Sequence, residues 1–315
     1  MSTAALFSEE RSAEVVVDSF GSETDPRLKE VLGSLVRHLH DFVKEVELTN
    51  EEWEAAIAFL TATGQACTDV RQEFILLSDV LGVSMLVETV NNRSLELATE
   101  STVLGPFHMV ESPPRASGDS IALDDKGRPC LVTGRVTNEK GVPLAGATVD
   151  VWQANADGFY DVQQPGLQPE GNLRGLFTTD DNGEFWFRSI VPRYYPIPVD
   201  GPVGRLLEAT GRHPYRPAHV HFLATAGGHR PLVTHLFVDD CPYIGSDVVF
   251  GVKESLIREF AVVDDPGRAA ELGFDNPFNT VHFDITLLSE DADAEQRSSQ
   301  ASSQGSSQRS SNGSA

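Results

Sequence analysis

Val132-Thr-Gly-Arg-Val-Thr-Asn-Glu-Lys-Gly-Val-Pro-Leu-Ala-Gly-Ala-Thr-Val-Asp-Val-Trp152 is the stretch from which the fold is read. Apolar and polar residues alternate on either side of a Gly/Pro turn, so both flanks read as strands with one face toward a core. The same period recurs at Cys130–Val136, Ala147–Trp152, Gly183–Arg188, His219–Leu223, Leu232–Val238 and Val281–Ile285. Turn clusters separate these runs, and Asp180-Asp-Asn-Gly183 and Gly227-Gly228 read as hairpin signals. A mainly antiparallel β-sandwich follows, with one short helix expected from Phe250 to Phe260.

Upstream the period changes. Leu28, Val31, Leu32 and Leu35 fall on one helical stripe that Phe42 and Val46 extend. Three helices are expected between Pro26 and Asn92, the second opened by the capping box Thr49-Asn-Glu-Glu52 and the third containing Phe74 to Val87. The fold class is therefore α+β: an N-terminal arm over 1–25, a helical region over 26–105, a sandwich over 106–288, and a Ser/Gln-rich tail over 289–315. The tail is expected to be disordered, because it holds almost no apolar residue.

The chain has 315 residues, is 40% hydrophobic and carries a formal net charge of −23. That charge repels nucleic acid and anionic membrane surfaces. No run approaches the roughly 20 apolar residues that span a bilayer, and no basic segment precedes an apolar one at the N-terminus, so a cytoplasmic location is expected. Cys67, Cys130 and Cys241 are odd in number and scattered, which argues for free thiols over a disulfide framework or a zinc knuckle.

Within Arg216-Pro-Ala-His-Val-His-Phe222, His219 and His221 project from one face of a strand and can share one ion. His38 and His40 have the same spacing but lie in helical sequence, where residues two apart diverge by about 200°. Only five tyrosines are present, and Tyr160 and Tyr195 stand at strand or turn boundaries just upstream of the histidines. Two imidazoles with two phenolates suit iron(III). A zinc hydrolase would want a further carboxylate or histidine at metal-site spacing. A binding module built on the sandwich alone would not need the helices.

The Val132–Trp152 pattern also occurs in transthyretin-like modules and supports a fold without a reaction. Trp152-Gln-Ala-Asn-Ala-Asp-Gly-Phe-Tyr160, Ile190-Val-Pro-Arg-Tyr-Tyr195 and Gly211-Arg-His-Pro-Tyr-Arg-Pro-Ala-His-Val-His221 together resemble, in order and spacing, the intradiol ring-cleaving dioxygenases of the catechol type. The likeness runs from about Glu30 to Leu287. Asp247-Val-Val-Phe-Gly-Val-Lys253 and Pro196-Ile-Pro-Val-Asp-Gly-Pro202 are most similar to the hydroxyquinol-cleaving branch. This resemblance implies one non-haem iron(III) per chain held by Tyr160, Tyr195, His219 and His221, with Tyr195 preferred over its neighbour Tyr194. It also implies that Tyr195 is the ligand that departs when an aromatic diol or triol binds through two deprotonated oxygens. Three positive charges then face one tyrosinate and a substrate dianion, and the sum is zero.

By the same resemblance, Arg216 stabilises charge developing on the ring, and O2 is the co-substrate. Leu76, Asp79, Val103, Leu104, Gly105, Pro106, Phe107, Ile197, Pro198, Arg216 and Val249 are expected to face the substrate, although Leu104 stands where this branch would have phenylalanine. Asp79 interrupts an apolar helical run, so it needs a partner: a backbone amide, Arg71, or a third substrate hydroxyl. His235 reads either as a group behind the metal ligands or as a hydrogen-bonded core histidine. The helical region is expected to build a homodimer, as in the family, where a phospholipid can lie between subunits.

Overall fold

The computed structural model describes residues 6–69, 71–92, 98–109, 112–124 and 126–294. The chain divides into two compact units between Gln65 and Ala66. This division falls well before residue 105, where the sequence places the end of the helical region.

The first unit is helical. α1 (Ser12–Asp18), which lies in the expected N-terminal arm, packs on α2 (Pro26–Glu45), and α3 (Asn50–Gln65) follows. Asp25 starts α2 by accepting the Leu28 amide at 2.9 Å, with Pro26 at the first helical position. The capping box forms as read: the Thr49 amide donates to Glu52 and the Glu52 amide donates to Thr49, at 3.0 and 3.2 Å.

The second unit opens with α4 (Glu73–Val80) and α5 (Val83–Asn91), where the sequence gives a single third helix. Gly82 adopts φ 74°, a left-handed conformation that ends α4 and reorients the chain into α5. The strands follow: β1 (Pro129–Asn138), β2 (Thr148–Gln153), β3 (Arg174–Thr178), β4 (Glu184–Ile190) and β5 (Tyr195–Pro196). After α6 (Pro202–Ala209) come β6 (Tyr215–Arg216), β7 (His219–Thr225), β8 (Leu232–Val238), β9 (Ile257–Arg258) and β10 (Ala261–Val263). α7 (Pro266–Leu272), β11 (Phe278–His282) and β12 (Ile285–Leu287) complete the order.

Two five-stranded sheets face each other. One runs β10-β11-β1-β12 with β4 also on β1, and the other runs β3-β2-β7-β8-β9. Most pairs are antiparallel, but β1 is long enough to take β11 along one half and β12 along the other, both parallel. The turn at Asp180 is not a hairpin. It carries the chain from β3, paired with β2, to β4, paired with β1, and so crosses between the sheets. Gly227-Gly228 does close the β7/β8 hairpin. The helix expected over 250–260 is replaced by a 3₁₀ turn at Glu254–Leu256 and by β9, whose Ile257 and Arg258 pair with Phe237 and Val238 in the sheet. Within the stretch expected to be disordered, residues 290–294 are instead helical, and Ser289 donates through its amide and hydroxyl to Glu139. The rest of that expectation, 295–315, lies outside the described residues.

The period of two sorts the side chains. Val149, Val151, Val220 and Phe222 enter the core between the sheets, where Phe222 meets Phe185 at 6.3 Å and Phe283 at 5.3 Å. Trp152, His219 and His221 must therefore point to the opposite face of their sheet. That face is not solvated, since all three are buried.

Candidate metal centre and active site

On this outer face the strand register sets a row of side chains. Trp152 lies opposite His221, and His221 lies opposite His235. The Trp152 ring stacks on the His221 imidazole with centroids 4.7 Å apart and 12° between planes. Trp152 and His235 thus fix the ring of His221 from two sides.

Loops bring the phenols over the row. Asn155 Oδ1 accepts the amides of Asp157 and Phe159, each at 3.0 Å, and turns the chain after β2 so that Tyr160 enters the site. Gly158, at φ 87°, lets the neighbouring backbone pass: a Cβ there would stand 3.2 Å from the Tyr195 Cβ. Tyr195 is placed by pairing with Arg216 across β5 and β6.

Four donor atoms converge. Tyr160 Oη lies 3.2 Å from Tyr195 Oη and 2.9 Å from His221 Nε2, and His221 Nε2 lies 3.0 Å from His219 Nε2. Ligands about 2.1 Å from one ion and at right angles to each other would be about 3 Å apart, so the donor set fits a single metal ion. His219 Nδ1 donates to the Pro217 carbonyl at 2.6 Å, which leaves Nε2 as a lone pair aimed at the cluster. With His221 Nε2 turned the same way, its Nδ1 carries the proton and donates to His235 Nε2 at 2.7 Å. His219, His221 and His235 also qualify as a three-histidine group, all buried. Yet His235 addresses the nitrogen of His221 that faces away from Tyr160, and so it backs the donor set without joining it.

Burial, followed by the charge of Arg216 at His219 and of neighbouring groups at His221, holds both histidines well below the ordinary imidazole range. Both imidazoles are therefore neutral at pH 7. Burial pushes the Tyr160 phenol well above its ordinary value, with Tyr195 adding to the rise. A phenolate at this position therefore calls for a strongly Lewis-acidic cation.

Arg216 is buried with its Nη1 3.3 Å from His219 Nε2 and with Nε and Nη2 each 3.4 Å from Asp247. Burial opposes its charge, but Asp247 and the two tyrosines hold its pKa above the ordinary value, so the guanidinium stays charged. Asp247 also accepts the Val249 and Gly251 amides and lines a 650 Å³ cavity with Arg212, Val248 and Phe250.

The remaining expected substrate positions separate into groups. Phe107 stacks on Tyr160 at 4.5 Å, and Gly105 packs so close to His221 that a Cβ would approach its Cε1 to 3.2 Å. Val249 and Ile197 are buried, whereas Leu76 and Val103 are half-buried. Leu104 lines a separate 280 Å³ cavity with Ser101, Thr102 and Arg230, and Pro106 and Pro198 are exposed. Asp79, half-buried on α4, has its pKa raised by burial, while a Ser84 hydrogen bond and the charge of Arg216 act in the opposite direction. Arg71 is not its partner, because Arg71 binds Glu73 and Asp200. Sequence reasoning passed over Trp152, Asp247 and the buried pair Arg174–Asp161. Their roles depend on cross-strand register and loop closure, which no local period encodes.

The family model described as "Dioxygenase" matches residues 108–287, and that described as "Catechol dioxygenase N terminus" matches 25–99. The chain belongs to the intradiol ring-cleaving dioxygenases. It is 57% identical to hydroxyquinol 1,2-dioxygenase of Rhizobium sp. (strain MTP-10005), over 89% of this chain and 96% of that one. The solved hydroxyquinol 1,2-dioxygenase of Pseudomonas putida DLL-E4 superposes with a TM-score of 0.84 at 50% identity, covering 90% of this chain and 99% of that one. Catechol 1,2-dioxygenase of Pseudomonas arvilla C-1 is more distant at 30% identity and a TM-score of 0.75, covering 89% and 92%. Dioxygenases of this family use non-haem iron, and the four-donor cluster is where this chain can hold it.

Proposed function

We propose that the chain is a hydroxyquinol 1,2-dioxygenase, adding both atoms of O2 to benzene-1,2,4-triol and opening the ring between its ortho hydroxyl-bearing carbons. The product is 3-hydroxy-cis,cis-muconate, a tautomer of maleylacetate, and no external reductant is needed. The observation that carries this reading is the convergence of two phenols and two neutral imidazoles within 2.9–3.2 Å steps. Tyr160, Tyr195, His219 and His221 would hold one iron(III) per chain, which supplies Lewis acidity and draws electron density from a bound aromatic diol. Neutral imidazoles leave the balancing negative charge to the tyrosinates and the substrate.

Arg216 is positioned to stabilise negative charge on the ring, and its pairing with Asp247 keeps its fork fixed beside His219. Asp79 selects the substrate. Its half-buried carboxylate on the side of Arg216 accepts a hydrogen bond from the third ring hydroxyl, and catechol leaves it with the Ser84 hydrogen bond alone. The higher identity to hydroxyquinol enzymes than to a catechol enzyme points the same way. The test is kcat/KM for the two substrates in wild type and in Asp79→Ala, with iron content checked in both. Wild type should favour hydroxyquinol by about 10²-fold or more, and the variant should lose most of that ratio. A wild type that prefers catechol, or a ratio unchanged in Asp79→Ala, removes this role.

The same reading includes a cytoplasmic homodimer. Leu28, Val31, Leu35, Leu39, Phe42 and Val46 lie exposed along α2 at helical spacing, an apolar stripe that association would bury. Cys130 and Cys241 are free thiols, as the cytoplasm favours, and among the described residues no helix is long and apolar enough to cross a membrane. Sedimentation should give a dimer, and Leu35→Asp together with Leu39→Asp should yield a monomer.

A further inference from the structure

Arg174 is a charged side chain at 1% exposure that the proposed reaction does not use. It opens β3 directly opposite Trp152, and Trp152 in turn lies opposite His221. Strand pairing thus extends the row behind the donor cluster to Arg174. Its guanidinium makes two contacts with separate parts of the chain. Nε donates to Asp161 Oδ1 at 2.7 Å, and Nη1 donates to the Phe107 carbonyl at 2.7 Å. Asp161 is the residue after Tyr160, and its other oxygen accepts the Gly171 amide at 3.0 Å. The Phe107 ring stacks on the Tyr160 phenol with 24° between planes.

We propose that Arg174 is the positioning residue for Tyr160, a single guanidinium fixing both the backbone that carries the phenol and the aromatic ring that covers it. The inference rests on the reading of Tyr160 as an iron ligand. Tyr160 is held at each end: its own amide donates to Gln163 at 2.9 Å, Asp161 is gripped from β3, and its ring is covered by Phe107. Tyr195 has a different support. It stands on a strand of two residues paired only with β6, and it meets Phe107 edge-on at 6.5 Å. The brace therefore acts on Tyr160, and Tyr195 is placed by other contacts. A planar fork suits the task, because its donors reach Asp161 and Phe107 along fixed directions, while a lysine ammonium presents one centre. A buried ion pair contributes little net stability but is sensitive to the loss of either member, so such a pair beside a ligand is suited to fixing geometry.

The test compares iron-loaded wild type with Asp161→Asn, which keeps shape and removes charge, and with Arg174→Lys, which keeps charge and removes the fork. The readouts are the tyrosinate-to-iron visible band per bound iron, iron retention against a chelator, and the separate values of kcat and KM. Both variants should shift or weaken the band, and should lose about 10- to 100-fold in iron retention or kcat. KM should stay within about twofold, since neither residue lines the cavity beside Asp247. Arg188→Lys is the control: that arginine donates to the Gly118 and Leu272 carbonyls away from the cluster, so its loss should lower stability without moving the band.

A wild-type band, iron retention and kcat in Asp161→Asn would overturn the brace, even where Arg174→Lys fails to fold. An equal band shift in Arg188→Lys would overturn it as well, since general destabilisation would then explain the result. Wild-type protein that takes up no iron and shows no band would overturn the iron reading itself, and with it the brace.

Discussion

A single oxygen atom distinguishes tyrosine from phenylalanine, and at position 160 that atom lies 2.9 Å from one imidazole and 3.2 Å from the second phenol. Tyr160→Phe should keep the fold, since the ring still packs under Phe107, yet lose part of the visible band and nearly all turnover. Absorbance per iron and oxygen uptake check this, and an active variant with the full band would remove Tyr160 from the ligand set. Asp79 gives a prediction of the opposite kind. Burial raises its pKa, so the native state holds the proton more tightly than the unfolded chain does. Native protein then binds more protons than unfolded protein above the unfolded value of about 3.9, and stability falls as the pH rises through that region. Asp79→Asn removes this liability. Its Tm should exceed that of wild type at pH 7, the gain should shrink below about pH 4, and selectivity for the triol should fall in exchange. At this scale the chelate was legible, because a period of two forces His219 and His221 onto one face. The roles of His235 and Trp152 were not, because each acts through a strand that is distant in sequence.

Caps and strand periods are legible locally, whereas helix breaks and the pairing of strands across a turn are not. The capping box at Thr49 satisfies two backbone donors through side chains three residues apart, an arrangement contained in four letters. Thr49→Ala should cost about 1 kcal/mol, read as a lower denaturant midpoint with an unchanged slope. A helix was expected to run on past Leu81, but Gly82 at φ 74° divides it, and this break gives α4 its own direction beside α6. The run after Phe250 has helical composition, yet Ile257 and Arg258 pair with Phe237 and Val238 in the sheet. The Asp180 turn shows the same limit. Its side chain accepts the Asn182 and Glu184 amides as a tight turn should, but which strands flank it in space depends on partners elsewhere.

For the whole molecule, composition sets what the C-terminal residues can contribute. Truncation after Ala294 should leave Tm and kcat within error, because residues 295–315 contain almost no apolar surface to offset the entropy of ordering. Truncation before Ser289 should differ, since Ser289 binds Glu139 through two hydrogen bonds and Asp293 pairs with Arg230 at 3.4 Å. Thermal melts of the two truncations separate these cases. Equal melts would mean that residues 289–294 contribute nothing to the second unit.

The sequence by itself determined the two structural regimes and the strand that bears His219 and His221, and through resemblance it pointed to Tyr160 and Tyr195 and to the chemistry that such a set suits. Each of these follows from a period, a cap or a short motif, and such signals act over a few neighbouring residues. Only the tertiary structure decided where the compact units divide, which strands pair in parallel, which face of the sheet carries the donors, and which side chains support them. Val220 and Phe222 fill the space between the sheets, and so their neighbours are turned onto a face that only distant loops can bury. Arg174 meets Asp161 and Phe107 from 13 and 67 residues away in the chain. Such contacts exist only after the sheets have closed, because packing and register, which no local pattern specifies, bring those residues together.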